Sequence, residues 1–197
     1  MKNIAVMVSG GGTDLQSVID NVENGFIENG KIVLVISSRE DAYALTRAEK
    51  HGINGIYIGK KNYSNDDERT AAIIEALEAA EVDLVILAGY MSVLNSRVID
   101  VFRDRIINIH PSLIPKYCGK GFYGSYVHEA VIAGGETESG ATVHFVDEGV
   151  DTGKIILQEK VPVMPDDTAD TLAARVLELE HVLLPRAVKM FCNDEII

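Results

Sequence analysis

The sequence predicts an α/β protein built on a doubly wound, mostly parallel sheet, with an antiparallel element near its C-terminal part. Two observations support this fold class. Short apolar runs rich in β-branched residues alternate with amphipathic stretches of helical period, which is typical of a parallel sheet covered by helices on both faces. Near the C-terminus, two strand-like runs are joined by a loop without a helix, and such neighbours pair in antiparallel fashion.

Strand-like and helix-like segments follow one another along the chain. The strand-like runs cover residues 4–8, 32–37, 55–58, 84–88, 106–109, 143–146 and 155–161. The helical patterns cover about 14–24, 41–51, 65–80, 95–102, 125–133 and 168–190. Thr13 with Gln16 predicts a capping box, Asp167 or Thr168 predicts a cap for the last helix, and Pro185 is expected to end or kink that helix. No linker or repeat interrupts the pattern, so we expect one domain over residues 1–197.

Composition and charge argue against several classes of protein. The net charge of −12, without an extended basic face, disfavours a nucleic-acid partner. No stretch approaches the roughly 20 apolar residues of a membrane span, and the N-terminal residues lack a signal-peptide pattern. Cys118 and Cys192 lie far apart, as is typical of free thiols in a reducing compartment. We therefore expect a cytoplasmic protein that acts on small molecules, with its oligomeric state left open.

A glycine-rich loop follows the first predicted strand and opens the first predicted helix. It reads SGGGTD at residues 9–14. Consecutive glycines let the backbone turn tightly and present its amides, while a helix N-terminus favours negative charge. The spacing matches neither the dinucleotide fingerprint nor the P-loop, so neither NAD nor a nucleoside triphosphate is indicated. The loop is therefore either a phosphate site or a turn that merely connects strand and helix.

The end of the fifth predicted strand carries the strongest chemical signal. It reads IINIHP at residues 106–111. Alternate residues of a strand share a face, so Asn108 and His110 point the same way, and Pro111 ends the ladder. A carboxamide can stabilise a developing oxyanion and imidazole can transfer protons near neutral pH, a combination that suits acyl transfer to an amine. The alternative is a buried histidine whose hydrogen bonds are satisfied.

An acidic loop joins the last two predicted strands. It reads DEGVDTG at residues 147–153. A carboxylate from this loop can orient His110 and raise its pKa, but the residues alone do not single out Asp151 from its acidic neighbours. The spacing is not that of a calcium loop, and a solvated turn is the other alternative. His144, inside a predicted strand, is expected to be a satisfied core histidine and not a catalyst.

Four segments carry a resemblance to a known family. They read VSGGGTDLQ at residues 8–16, LAGYM at 87–91, INIHPSLIP at 107–115 and VHFV at 143–146, with Asp151 beyond. In this order, over nearly the whole chain, the sequence resembles the phosphoribosylglycinamide formyltransferases, folate-dependent enzymes of purine biosynthesis with a Rossmann-like formyltransferase fold. The resemblance implies transfer of a formyl group from 10-formyltetrahydrofolate to the amine of glycinamide ribonucleotide through a tetrahedral intermediate.

The resemblance also implies roles for particular residues. Asn108 would bind the formyl oxygen, His110 would donate a proton, and Asp151 would keep His110 protonated. The substrate-binding residues would be Gly12, Thr13 and Asp14 on the phosphate and Glu180 on the ribose. The folate-binding residues would be Met91, Ser92, Val93, Leu94, Asn108, Asp147, Glu148, Gly149 and Val150. No metal is expected.

The sequence departs from the family pattern where the folate glutamate tail would bind. Ser92 stands where an arginine is common, and a second arginine is replaced near Asp66, although Arg69 is close by. Lys120 is a further candidate for the missing positive charge.

Several related functions share the Asn, His and Asp set. One alternative is a formyltransferase for another amine acceptor, such as a nucleotide-linked amino sugar, and another is a formyltetrahydrofolate hydrolase. A methionyl-tRNA formyltransferase is disfavoured by the acidic composition and by the absence of its usual C-terminal domain. A non-enzyme alternative is a folate- or sugar-phosphate-binding module with an inactive site.

Overall fold

A computed structural model describes residues 1–196, and it has the predicted α/β architecture. The strands are β1 (Lys2–Val8), β2 (Gly30–Ser37), β3 (Asn54–Tyr57), β4 (Leu84–Leu87), β5 (Ile106–His110), β6 (Glu138–Phe145) and β7 (Ile155–Pro162). The helices are α1 (Thr13–Glu23), α2 (Tyr43–Lys50), α3 (Asp66–Ala79), α4 (Ser96–Val101), α5 (Ser125–Ala133) and α6 (Ala169–Cys192). A short 3₁₀ turn at Lys60–Asn62 was not predicted.

The strands form one sheet in the order β3-β2-β1-β4-β5-β6-β7. The pairs from β3 to β5 are parallel, whereas β6 runs antiparallel to both β5 and β7. The predicted antiparallel element is therefore confirmed, and it extends to the β5–β6 pair. The strand order reverses between β1 and β4, and sheets of this kind bind ligands at the carboxyl ends of the strands beside such a reversal.

The central strands β1, β4 and β5 are buried on both faces, as their apolar sequences require, whereas the edge strands β3 and β7 are partly exposed. Alternate residues of β1 point to opposite faces of the sheet. Ile4, Val6 and Val8 pack into one core with α1, α2, α5 and α6. Ala5 and Met7 pack into the other core with α3 and α4. The two cores fix the sheet between helical layers, so the strand ends are held at defined positions for the site at their carboxyl edge.

The predicted start of β6 is wrong, whereas α6 continues past Pro185 to near its predicted end at residue 190. β6 begins at Glu138, five residues before the predicted start, because Gly140, Ala141 and Thr142 give no apolar run. Pairing on both sides overrides this weak strand signal. α6 does not end at Pro185 but continues to Cys192, with Pro185 buried in its packed face. Burial of that face against the sheet offsets the backbone hydrogen bond that proline removes.

Helix caps agree with the sequence in one case and differ in another. Thr168 is the N-cap of α6 and forms a capping box with Thr171. The capping box predicted from Thr13 is absent, because Gly12 is the N-cap of α1 and no side chain caps that end.

We expect Thr168→Ala to lower the free energy of unfolding by about 1 kcal/mol, because the Thr171 amide loses its capping acceptor. Urea denaturation checks this value. Thr137→Ala, which removes an exposed hydroxyl that makes no hydrogen bond within residues 1–196, is the matched control and is expected to change stability far less. Equal losses in the two variants would contradict the capping role.

Candidate active site

Three of the predicted site segments lie at one edge of the sheet, because β1, β4 and β5 are parallel neighbours. The glycine loop follows β1, the Met91 segment follows β4, and Asn108 and His110 end β5. Adjacent strands are about 4.8 Å apart, so the glycine loop and Asn108 are separated by about 10 Å across the sheet.

Ser9 joins the strand ends at this edge, a role that the sequence did not reveal. Its hydroxyl lies 2.5 Å from the Ser38 hydroxyl after β2 and accepts a hydrogen bond from the Met91 amide at 2.8 Å. Ser9 itself is buried. The start of the glycine loop and the segment after β4 are therefore tied to each other by one side chain.

The glycine loop is built for close backbone approach at Gly12. This residue has φ of 72°, in the left-handed region that favours glycine, and a Cβ atom there would lie 2.7 Å from the Ala44 Cβ. Arg47 Nε donates to the Gly11 carbonyl at 2.7 Å, which holds α2 against the loop. Because no side chain caps α1, its first amides remain available to an anion.

Asn108 is oriented by His144. The β5–β6 register places the two residues directly opposite each other, and Asn108 Nδ2 lies 3.1 Å from His144 Nε2. His144 Nδ1 lies 2.8 Å from the Phe145 carbonyl, which can only accept. His144 therefore donates from Nδ1 and accepts the Asn108 amide proton at Nε2, which leaves the second Asn108 N–H for another acceptor.

His110 lies beside the same group of side chains. Its Nε2 donates to the Tyr117 carbonyl at 2.9 Å, and its Nδ1 is 3.6 Å from Asp151 Oδ2. Burial lowers the pKa of His110 more than the Tyr117 carbonyl and Asp151 raise it. The expected effect of the carboxylate, which raises the pKa of His110, is therefore present but is outweighed by burial.

Asp151 is the acid of the 147–153 loop that turns inward. It has φ of 57°, and its carboxylate accepts the Gly119 amide at 2.9 Å and lies 3.6 Å from His144 Nε2. Burial raises the pKa of Asp151, but the facing His144, the hydrogen bond from the Gly119 amide and the nearby His110 outweigh this effect and lower the pKa below its usual value. The carboxylate is thus held ionised next to His110.

The other acids of the loop have different partners. Asp147 accepts hydrogen bonds from the Gly149 amide and the Thr152 hydroxyl, and Glu148 pairs with Arg103 at 2.9 Å. Neither carboxylate is within ion-pair distance of His110. The structure therefore distinguishes Asp151 from its neighbours, which the sequence alone did not.

His144 was predicted to be a satisfied core histidine and not a catalyst. It is buried and its hydrogen bonds to Asn108 and the Phe145 carbonyl are satisfied, but it also lies 3.6 Å from the Asp151 carboxylate, so it belongs to the site. The Tyr117 carbonyl and the Gly119 amide are further site groups that the sequence did not indicate.

Asp14, Glu180 and His181 form a second group of titratable side chains, between α1 and α6. Asp14 lies in the first turn of α1, and burial raises its pKa to about 6. Burial, followed by the nearby Asp14, raises the pKa of Glu180 well above its usual value. His181 Nε2 lies 3.6 Å from Asp14 Oδ1. Burying a carboxylate without a strong partner lowers the stability of the folded protein. Titratable groups with strongly shifted pKa values are common in functional sites.

Exposed apolar side chains flank the predicted folate region. Met91, Val93 and Val150 are 56%, 77% and 49% exposed, whereas Leu94 packs into the core beside α3 and α4. Such side chains fit a flat aromatic ring system. A ligand there would meet Leu94 through its backbone.

A cavity of about 490 Å³ adjoins this region. Arg69 is buried, is paired with Asp66, and keeps one guanidinium nitrogen without a hydrogen-bond partner within residues 1–196. The residues that line the cavity are Lys60, Tyr63, Ser64, Asn65, Asp66, Arg69, Val93, Leu94 and Asn95. Lys120 is not among them.

This fold and this set of side chains define an acyl-transfer enzyme, and the chain belongs to the formyl transferase family, whose model matches residues 2–188. It is 44% identical over 196 residues to the phosphoribosylglycinamide formyltransferase of Haemophilus influenzae, covering 100% of this chain and 90% of that protein. It is 43% identical to the trifunctional purine biosynthetic protein adenosine-3 of Drosophila melanogaster, covering 98% of this chain but 14% of that longer protein.

A solved structure agrees with these relatives. The crystal structure of glycinamide ribonucleotide transformylase 1 from Symbiobacterium toebii has a TM-score of 0.93 to this protein at 40% sequence identity. The match covers 98% of this chain and 89% of that one. The family resemblance and the fold predicted from the sequence are both confirmed.

We expect Glu180→Gln to stabilise the protein more at about pH 8 than at about pH 5. The unfolded chain releases the Glu180 proton near its ordinary pKa, whereas burial and Asp14 favour the protonated form in the folded protein. The contribution of Glu180 to the free energy of unfolding of the wild type is therefore lost as the pH rises from the ordinary pKa of glutamate through the raised pKa. Glutamine does not ionise, so the variant does not lose stability in this way.

Thermal unfolding of wild type and variant over this pH range measures the effect. Glu178→Gln, an exposed change on the same helix, is the control and is expected to follow the wild type. Parallel pH profiles for wild type and Glu180→Gln would show that Glu180 does not titrate abnormally.

Proposed function

We propose that this protein transfers the formyl group of 10-formyltetrahydrofolate to the amine of glycinamide ribonucleotide, a step of purine biosynthesis. The observation that carries the proposal is the position of Asn108, His110 and Asp151 two strands away from an uncapped helix N-terminus. A substrate with a phosphate at one end, an amine at the other and a ribose between them fits this spacing. Gly12, Thr13 and Asp14 are assigned to the phosphate and Glu180 to the ribose.

Asn108 is assigned to the oxyanion. When the substrate amine attacks the formyl carbon, a new C–N bond forms and the carbonyl oxygen becomes negatively charged. The Asn108 N–H that His144 leaves free can donate to that oxygen. Because the amide is already oriented, little rearrangement is needed as the charge develops.

His110 and Asp151 are assigned to proton transfer. The attacking amine must lose a proton, and the folate nitrogen must gain one as its bond to the formyl carbon breaks. Negative charge on Asp151 favours the imidazolium form of His110. Both ring nitrogens of His110 face protein groups. We therefore propose that substrate binding displaces the Tyr117 carbonyl and exposes Nε2–H.

The folate-binding assignment covers both sides of the site. The pterin contacts Met91, Ser92, Val93 and Leu94 on one side. On the other side it contacts Asn108 and the loop residues Asp147, Glu148, Gly149 and Val150. We assign the carboxylate tail to the adjoining cavity, where Lys60 and Arg69 supply positive charge. This assignment favours Arg69 over Lys120 as the replacement for the arginines of the family pattern.

The proposal describes a cytoplasmic, single-domain enzyme with two small-molecule substrates and no metal, nucleic-acid or membrane partner. No helix within residues 1–196 is long and apolar enough to cross a membrane. The same part of the chain holds no group of three or more histidine, cysteine, aspartate or glutamate side chains able to bind a metal ion.

A direct assay tests the function. Purified protein is mixed with 10-formyltetrahydrofolate, and tetrahydrofolate production is followed with and without glycinamide ribonucleotide. Turnover that depends on the ribonucleotide supports the proposal. Turnover without it would identify a hydrolase. No turnover with bound folate would require another amine acceptor or an inactive binding protein.

We expect Asn108→Ala to reduce turnover by about 100- to 1,000-fold, because it removes one oxyanion donor. Single-turnover kinetics with saturating substrates measure the loss, and a thermal melt confirms folding. Asn54→Ala is the control, because Asn54 is exposed at the opposite end of the sheet. A near-normal single-turnover rate for Asn108→Ala would remove Asn108 from the mechanism.

A further inference from the structure

The group formed by Asp14, Glu180 and His181 places negative charge where a phosphate is expected. Asp14 sits in the first turn of α1, and its Oδ1 atom is buried without a hydrogen-bond partner in the described chain. Glu180 is 7% exposed and lies on the facing helix α6. An ionised Asp14 repels a phosphate dianion, and it also opposes ionisation of the neighbouring Glu180. A site of this composition needs a compensating positive charge.

His181 is the basic side chain that faces Asp14. Its Nε2 lies 3.6 Å from Asp14 Oδ1, and each of these atoms is buried and lacks a hydrogen-bond partner within residues 1–196. The distance is slightly longer than a hydrogen bond, so a small approach brings the two atoms into contact. A proton on either atom then allows it to donate to the other.

Other charged groups around α1, α2 and α6 have partners of their own. Arg47 of α2 donates to the Gly11 carbonyl and to Gln16. His51, after α2, pairs with Glu23. Burial lowers the pKa of His181 by more than Asp20 of α1 raises it. In the described part of the chain, His181 is the one basic side chain within ion-pair distance of Asp14.

We propose that His181 supplies the positive charge that balances the Asp14 carboxylate in this phosphate site. His181 thereby sets the affinity for a phosphorylated substrate. The inference rests on the proposed function, because it assumes that a phosphate occupies the glycine loop. A bound dianion favours a proton on the facing His181 and Asp14 atoms, and that proton cancels the Asp14 charge. His181 acts through Asp14 and is a positioning residue.

A double-mutant cycle tests the coupling. The kcat and the KM for glycinamide ribonucleotide are measured for wild type, His181→Asn, Asp14→Asn and the double variant. In the wild-type background, His181→Asn is expected to raise KM about tenfold and to change kcat less than about twofold. In the Asp14→Asn background, the same change is expected to alter KM less than about threefold, since no carboxylate remains to be balanced.

Two further variants separate charge from structure. His181→Lys keeps a positive charge and is expected to return KM to within about threefold of the wild type. His51→Asn is the matched control, because His51 pairs with Glu23 and not with Asp14. Equal KM increases for His181→Asn in the two backgrounds, or a loss confined to kcat, would overturn the proposal.

A binding experiment keeps this inference distinct from the proposed function. Calorimetry with ribose 5-phosphate gives the Kd of the phosphate site for the same four proteins without any reaction. If the wild type binds ribose 5-phosphate but does not turn over glycinamide ribonucleotide, the proposed acceptor is wrong. The Kd values of the four proteins then still form a double-mutant cycle that tests the role of His181. If no protein in the cycle binds ribose 5-phosphate, the counter-charge proposal fails.

Discussion

The parallel pairing of β1, β4 and β5 is the constraint on which the rest of the structure depends. It brings three chain segments that are far apart in sequence to one edge of the sheet. The apolar strands are covered on both faces, so their carboxyl ends are fixed by the core and not by the loops. A reaction between two bound molecules benefits from this rigidity, because catalysis depends strongly on small errors in position.

The site contains buried charged groups that lower the stability of the folded protein, and the apolar core offsets this cost. Asp14, Glu180 and Asp151 place carboxylates in largely buried positions, and His110 is buried beside one of them. Burial of such groups opposes folding unless strong partners are present. The binding and proton-transfer roles that we propose for these groups account for their burial, since an apolar substitution at the same positions would favour the folded state.

The sequence predicted much of this arrangement because the relevant signals are local. Strand alternation placed Asn108 and His110 on one face, and the glycine loop was recognisable between a strand and a helix. The position of His144 was not predictable, because it depends on the β5–β6 register and on a strand that begins among small and polar residues. The inward turn of Asp151 depends on a left-handed backbone conformation that an aspartate seldom adopts.

Because Gly12 and Ala44 approach each other closely, the size of side chain allowed at each position depends on the other. Ala44 is fully buried at the start of α2, and its amide donates to the Gly10 carbonyl. A larger side chain at position 44 would push α2 away from the loop even though glycine were kept at position 12. Mutational scans should therefore find position 44 as restrictive as the loop, although it bears no group that a substrate could recognise.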